Sequence, residues 1–200
     1  MIDYWDYTGD ATYNDLAVDG IAFQADVEDG RGPFMSANWT AWMENDSLGF
    51  WGLTAMLAAE MNFPNPPKGT PSWAQLAQGV FGTLEARYQK EEREDTCAGG
   101  LRWAVLPQSG GYGYKNTISN GVFLNLSARL ARYTGNQTYG EWANKTWTWL
   151  TDVGFVDESY DVYDGAHVAM SCNDTNHAQF SANAGVLLQG AAYMYNQVCP

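Results

Sequence analysis

Residues 44–52 read Glu44-Asn45-Asp46-Ser47-Leu48-Gly49-Phe50-Trp51-Gly52, an acid, an amide and a hydroxyl at the mouth of an apolar run. Two readings compete for this stretch. Asp, Asn and Ser are favoured at a helix N-cap, where a side-chain oxygen accepts an otherwise orphaned backbone N–H. A carboxylate at a loop-to-helix entry can equally be half of a catalytic pair, with the second acid missing beside it. Other chemistries have less support. His167 and His177 lack metal-ligand spacing, and neither a zinc-protease helix motif nor a phosphate-cradling glycine loop occurs. The Gly99-Gly100 and Gly110-Gly111 pairs read as turns, so neither metal nor other cofactor is implied.

The elements that would position Asp46 follow from a repeat. Residues 7–17 read YTGDATYNDLA and residues 133–143 read YTGNQTYGEWA. In each, Gly stands where a helix ends and the following polar residues stand where the next begins, which predicts an αα-hairpin turn. Two copies predict a helical array. Trp73, Leu76, Ala77, Val80, Phe81, Leu84 and Tyr88 have helical spacing with a polar opposite face, an outward helix. Segments 46–59, 118–128 and 177–196 are almost uncharged and are expected inside. Strand patterns are confined to short pieces near 101–106 and 160–163. The inner helices leave through short turns at 62–70 and 134–137 but are entered through long loops at 27–45, 87–117 and 151–176. Loops of that length are usually functional. With helices alternating in direction, all three fall on one rim, and Asp46 with them.

Bulk properties narrow the partners. The chain has 200 residues, 46% hydrophobic and 14% aromatic, enough for one sizeable core over residues 1–200. A net charge of -13 argues against nucleic acid and against a polybasic membrane contact. The uncharged run from Asn176 onward is too polar for a membrane-spanning segment. The opening MIDYWDYTGD reads as the end of an amphipathic helix rather than a signal peptide, so upstream sequence is expected to be absent, and the tail lacks a lipid-anchor signal. Sequons begin at Asn38, Asn45, Asn125, Asn136, Asn144 and Asn173, a density that leans toward secretion. One disulfide among Cys97, Cys172 and Cys199, with one cysteine over, is then expected.

Several long stretches carry a family resemblance: IDYWDYTGDATYNDLA, FWGLTAMLAAEMNFPNPP, TCAGGLRW, GYGYKNTISNGVFLNLSARLARYTGNQTY, YDVYDGAHV and NHAQF. Together they extend over nearly the whole chain. The chain resembles glycoside hydrolase family 76, the α-1,6-mannanases, and within it the fungal cell-wall branch of transglycosylases acting on GPI-linked mannan. That resemblance implies an all-α fold, an (α/α)6 toroid of twelve helices with the sugar groove on the long-loop rim. About seven helices are legible here, so the toroid is expected to be incomplete.

The resemblance also implies chemistry. A retaining glycosidase needs two carboxyl groups about 5 Å apart, a nucleophile and an acid/base. The family is similar in using consecutive aspartates, and Asp46 matches the nucleophile. Ser47 replaces the second aspartate, and losing a general acid typically costs about 10²–10⁴-fold in rate. A glycan on Asn45 would block the groove. Glu44 and Asp164 are the carboxylates that could substitute, and Asp174 reads as a turn or cap residue. Lys115, Asn116 and Asn120 match the YKNTISN stretch and are candidates for donating to sugar hydroxyls, or else for capping and core bonding. Trp51 and Trp103 could stack on mannose or fill the core. Asn176, His177, Gln179 and Asn183 keep the pattern, whereas Phe180 stands where the family usually has Trp and Ala182 where it has Tyr. The implied partners are α-1,6-linked mannan or GPI-linked mannose glycans, and the implied location is secreted or cell-wall. A catalytically inactive mannan-binding homologue, or a fragment, is the alternative.

Overall fold

The computed structural model describes residues 1–25, 41–94 and 97–198. In chain order these form α1 (Ile2–Thr8), α2 (Asn14–Phe23), α3 (Asn45–Glu60), α4 (Trp73–Glu94), β1 (Tyr114–Asn116), α5 (Thr117–Thr134), α6 (Gln137–Asp152), β2 (Gly165–His167), a 3-10 turn at Val168–Met170 and α7 (Ser181–Val198). Seven α-helices among the described residues agree with the number expected. Both repeat copies turn a helix back on itself. Gly9 ends α1 and Gly135 ends α5, each with φ near +70°, which glycine adopts without a Cβ penalty. After Gly135 the Asn136 side chain caps α6 by accepting the Thr138 N–H at 3.1 Å.

Helix α5 lies at the centre. Every residue from Thr117 to Ala131 except Ile118 is buried, and α3, α4, α6 and α7 pack around it. Its Phe123 stacks on Phe81 of α4 at 5.5 Å and meets Trp142 of α6 edge-on at 5.7 Å. Tyr88 of α4 packs edge-on against Trp142 and Trp149. Polar groups on this buried helix are paired at its far end too: Arg129 contacts Glu60 at 2.7 Å, and Tyr193 of α7 donates to the same carboxylate at 3.1 Å.

The structure corrects the expected boundaries. α4 runs on through Gln89 to Glu94, so the connection after it begins at 95 rather than 87. This run consists of good helix formers, and Glu91 within it is drawn inward by two cations. The helix expected from 177 begins at Ser181. It is not apolar all round in its setting. Asn183, Leu187 and Gly190 face α5, while Leu188 and Tyr195 remain exposed. The expected strands at 101–106 and 160–163 contribute only isolated bridges, Arg102 with Lys115 and Val156 with Val162. The two-stranded antiparallel pair is β1 with β2, Tyr114 opposite His167. The loop expected at 27–45 lies mostly outside the described residues, as do Asn38 and Cys199.

Backbone hydrogen bonds stitch the rim together. Asn45 N–H donates to Trp103 O at 3.1 Å and Trp103 N–H to Tyr114 O at 2.8 Å. Thr117 N–H donates to Asp164 O at 2.7 Å and Asp164 N–H to Asn176 O at 3.1 Å. The N-termini of α3 and α5 therefore sit on one rim with the connections 97–113 and 153–180. A Cys97–Cys172 disulfide, closing a separation of 75 residues, ties those connections to each other.

Candidate active site

Asp46 is the second residue of α3, half-buried at the rim. Its Oδ2 accepts the indole N–H of Trp103 at 3.1 Å, and its Oδ1 accepts the Ser47 backbone N–H at 2.7 Å. Burial pushes its pKa above the ordinary aspartate value and the nearby Glu44 charge adds to this, while the Ser47 and Trp103 donors oppose it. A carboxylate in the first turn also gains from the positive end of the helix dipole. One half-buried carboxylate is thus held by two donors at the start of α3.

Asn45 explains how Asp46 is held. Its Nδ2 donates to Arg102 O at 2.7 Å and its Oδ1 accepts from Arg87 Nη1 at 2.6 Å. Asn45 is buried, so a glycan there is incompatible with the folded chain, contrary to the expectation from its sequon. The same holds for buried Asn125, whereas Asn136, Asn144 and Asn173 are exposed. The cap reading is not realised either. The N-cap is Glu44, which makes no side-chain cap bond. Ser47 is exposed, with Oγ 3.4 Å from Asp46 Oδ1.

Three residues expected to line a groove are buried instead. Lys115 is fully buried, donating to Gly99 O and lying 3.3 Å from Glu91 Oε2. Asn116 caps α5, accepting the Ser119 N–H at 3.2 Å. Asn120 exchanges bonds with the Leu101 backbone, accepting at 2.7 Å and donating at 3.1 Å. None is accessible to a sugar. Burial decided each: a cation or amide inside the helical layer needs internal partners, and these have them. They fix the Leu101–Trp103 segment that presents the indole.

Trp103 is 43% exposed. Its indole lies against Gly111, where any Cβ would meet the ring at 2.6 Å, so the small residue seats it. Trp51 is half-buried and packs against the core. Asp164 is engaged elsewhere on the rim. It accepts from Tyr114 Oη at 2.8 Å and from Asn176 Nδ2 at 3.2 Å. Burial, with that bond, pushes the Tyr114 hydroxyl up to about 12, so it stays a donor. Gln179 and Phe180 are exposed, and Gln179 Nε2 reaches Asp161 at 3.4 Å.

Residues beside the site that the sequence did not reveal are Arg87, which holds Asn45, Glu91, which holds Arg102 and Lys115, and Tyr114, which donates to Asp164. Asp174, expected as a turn or cap residue, accepts His167 N–H at 2.9 Å and binds its Nδ1 at 2.7 Å. The β1–β2 register sets Tyr114 beside His167, and three-residue strands carry no periodicity to read. Among the described residues no group of acids, histidines or cysteines could hold a metal ion.

The family model for glycosyl hydrolase family 76 matches residues 1–198. Mannan endo-1,6-alpha-mannosidase DCW1 of Saccharomyces cerevisiae is 42% identical over 198 residues, covering 98% of this chain and 42% of its own length. The crystal structure of Dfg5 from Chaetomium thermophilum in complex with glucosamine matches with a TM-score of 0.88 at 50% identity, over 98% of this chain and 46% of that one. An α-1,6-mannanase of Salegentibacter sp., inactive with two consecutive aspartates changed to asparagine and complexed with α-1,6-mannotriose, shares the fold, with a TM-score of 0.71 at 18% identity over 100% of this chain and 52% of its own. The chain thus spans less than half the length of the curated relatives it matches, and its helices form part of an α/α toroid. No described helix is long and apolar enough to cross a membrane. The chain belongs to glycosyl hydrolase family 76.

Proposed function

We propose that residues 1–200 form one unit carrying the site of an α-1,6-mannan-acting glycosidase or transglycosylase of the fungal cell wall, with Asp46 as nucleophile of a retaining mechanism and Ser47 at the acid/base position. The observation that carries this reading is Asp46 at the start of α3, held by Trp103 and Ser47 and half-buried at the rim. Ionised Asp46 would attack the anomeric carbon while the glycosidic bond breaks. The departing oxygen needs a proton, and a hydroxyl such as Ser47 supplies one poorly near neutral pH. The glycosyl-enzyme would then pass to water or to a sugar acceptor.

The relatives support the substrate class. The proteins matched are named for mannan endo-1,6-alpha-mannosidase activity, and the loss of two consecutive aspartates accompanies inactivity in the mannotriose-bound relative. GPI-linked mannose glycans are the finer substrate within that class. A secreted, glycosylated protein is supported by the disulfide and the exposed sequons at Asn136, Asn144 and Asn173. Ser47 favours a second reading, mannan binding with little turnover. Calorimetric titration with α-1,6-mannotriose and with a β-1,4-linked trisaccharide tests the substrate class. Binding of the first alone is expected, and equal binding or none contradicts it.

A further inference from the structure

The small strands carry a feature that the proposed chemistry does not use. Arg102 bridges Lys115 in antiparallel register, and Tyr114 pairs with His167. One step along the first bridge, Trp103 stands opposite Tyr114, its N–H bonded to Tyr114 O at 2.8 Å. Trp103, Tyr114 and His167 therefore form one cross-strand row. Successive side chains along a strand point to opposite faces. Arg102 and Lys115 both turn inward to Glu91, at 2.9 and 3.3 Å, so Trp103 and Tyr114 turn outward. The Tyr114 and His167 rings meet edge-on at 5.0 Å, which puts the imidazole on that outer face as well. Two strand spacings carry the row roughly 10 Å from the indole bonded to Asp46.

The far end of the row is polar and ordered. Asp174 grips His167 twice, through its backbone N–H at 2.9 Å and its ring Nδ1 at 2.7 Å. The His167 side chain is nevertheless 61% exposed. Its Nε2 has no hydrogen-bond partner among the described residues. With Nδ1–H given to the carboxylate, Nε2 accepts from a hydroxyl when the ring is neutral and donates when it is charged. A ring held in place before binding loses little freedom on contact with a ligand.

We propose that Trp103, Tyr114 and His167 form an extended sugar-binding row, in which His167, oriented by Asp174, holds a hydroxyl of a mannose unit further along the chain than the unit at Asp46. This rests on the mannan reading above and adds that recognition depends on chain length. Titrating the protein and its His167→Ala variant with α-1,6-mannobiose, mannotriose and mannotetraose tests it. The exposed ring makes the variant fold-neutral, which near-UV circular dichroism checks. The wild type gains affinity as the chain lengthens. His167→Ala binds the disaccharide as the wild type does and loses about tenfold on the tetrasaccharide, the worth of one hydrogen bond. A variant matching the wild type at every length, or weakened equally at every length, overturns the row and leaves the mannan reading standing. A wild type that binds no length overturns both.

Discussion

The indole N–H of Trp103 donates to Asp46 Oδ2 at 3.1 Å, joining residues 57 positions apart across the rim. This bond orients the carboxylate and lowers its pKa against the rise that burial imposes. Trp103→Phe keeps an aromatic ring and removes the donor. The Asp46 pKa, followed by carbon-detected NMR titration, is expected to move further upward in that variant. An unchanged value would mean that the indole does not tune the acid.

Asp46 also bears on stability. Its folded pKa is raised above the ordinary aspartate value, so the folded state favours the protonated form. The associated stability is full below the ordinary aspartate range and is lost as pH rises through the raised folded value. Asp46→Asn, which cannot ionise, should therefore raise Tm at neutral pH. The gain should vanish once pH falls below the ordinary aspartate range. Thermal melts across that interval check the sign.

Behind the site, Glu91 is shared by Arg102 at 2.9 Å and Lys115 at 3.3 Å. Glu91→Ala takes the carboxylate from a fully buried lysine, and breaking a buried pair from one side typically costs about 3–5 kcal/mol. Urea unfolding of the variant should show a loss of that order. A loss near zero would mean that the buried charges are satisfied elsewhere.

The Cys97–Cys172 disulfide spans 75 residues and joins the two rim connections. Loss of a native disulfide typically costs about 2–5 kcal/mol. Cys172→Ser is expected to fall in that range by chemical denaturation, with Cys97 then alkylated once the variant is unfolded. An oxidised protein in which Cys97 and Cys172 both react would contradict the pairing.

Helices and their turns were legible because each left a repeated local mark. Gly9 and Gly135 end helices at the same point of the same phrase, and the apolar spacing from Trp73 to Tyr88 is unmistakably helical. The rim location of Asp46 followed from loop lengths alone. What stayed hidden depends on partners distant in sequence. Lys115 looks like a surface donor until Glu91, 24 positions earlier, meets it inside. Asn45 reads as a sequon or a cap, yet Arg87 and Arg102 occupy its amide. The site's outer face depends on three-residue strands whose register no window of sequence displays.

A paired assay reads the part Ser47 plays. Turnover of α-1,6-mannooligosaccharides is measured for the protein and for Ser47→Asp, with folding verified for both. Weak turnover by the wild type is expected, with a gain of about 10²-fold or more in the variant as a carboxyl returns to the acid/base position. Equal and robust turnover by both would contradict the assignment of Ser47 to that position.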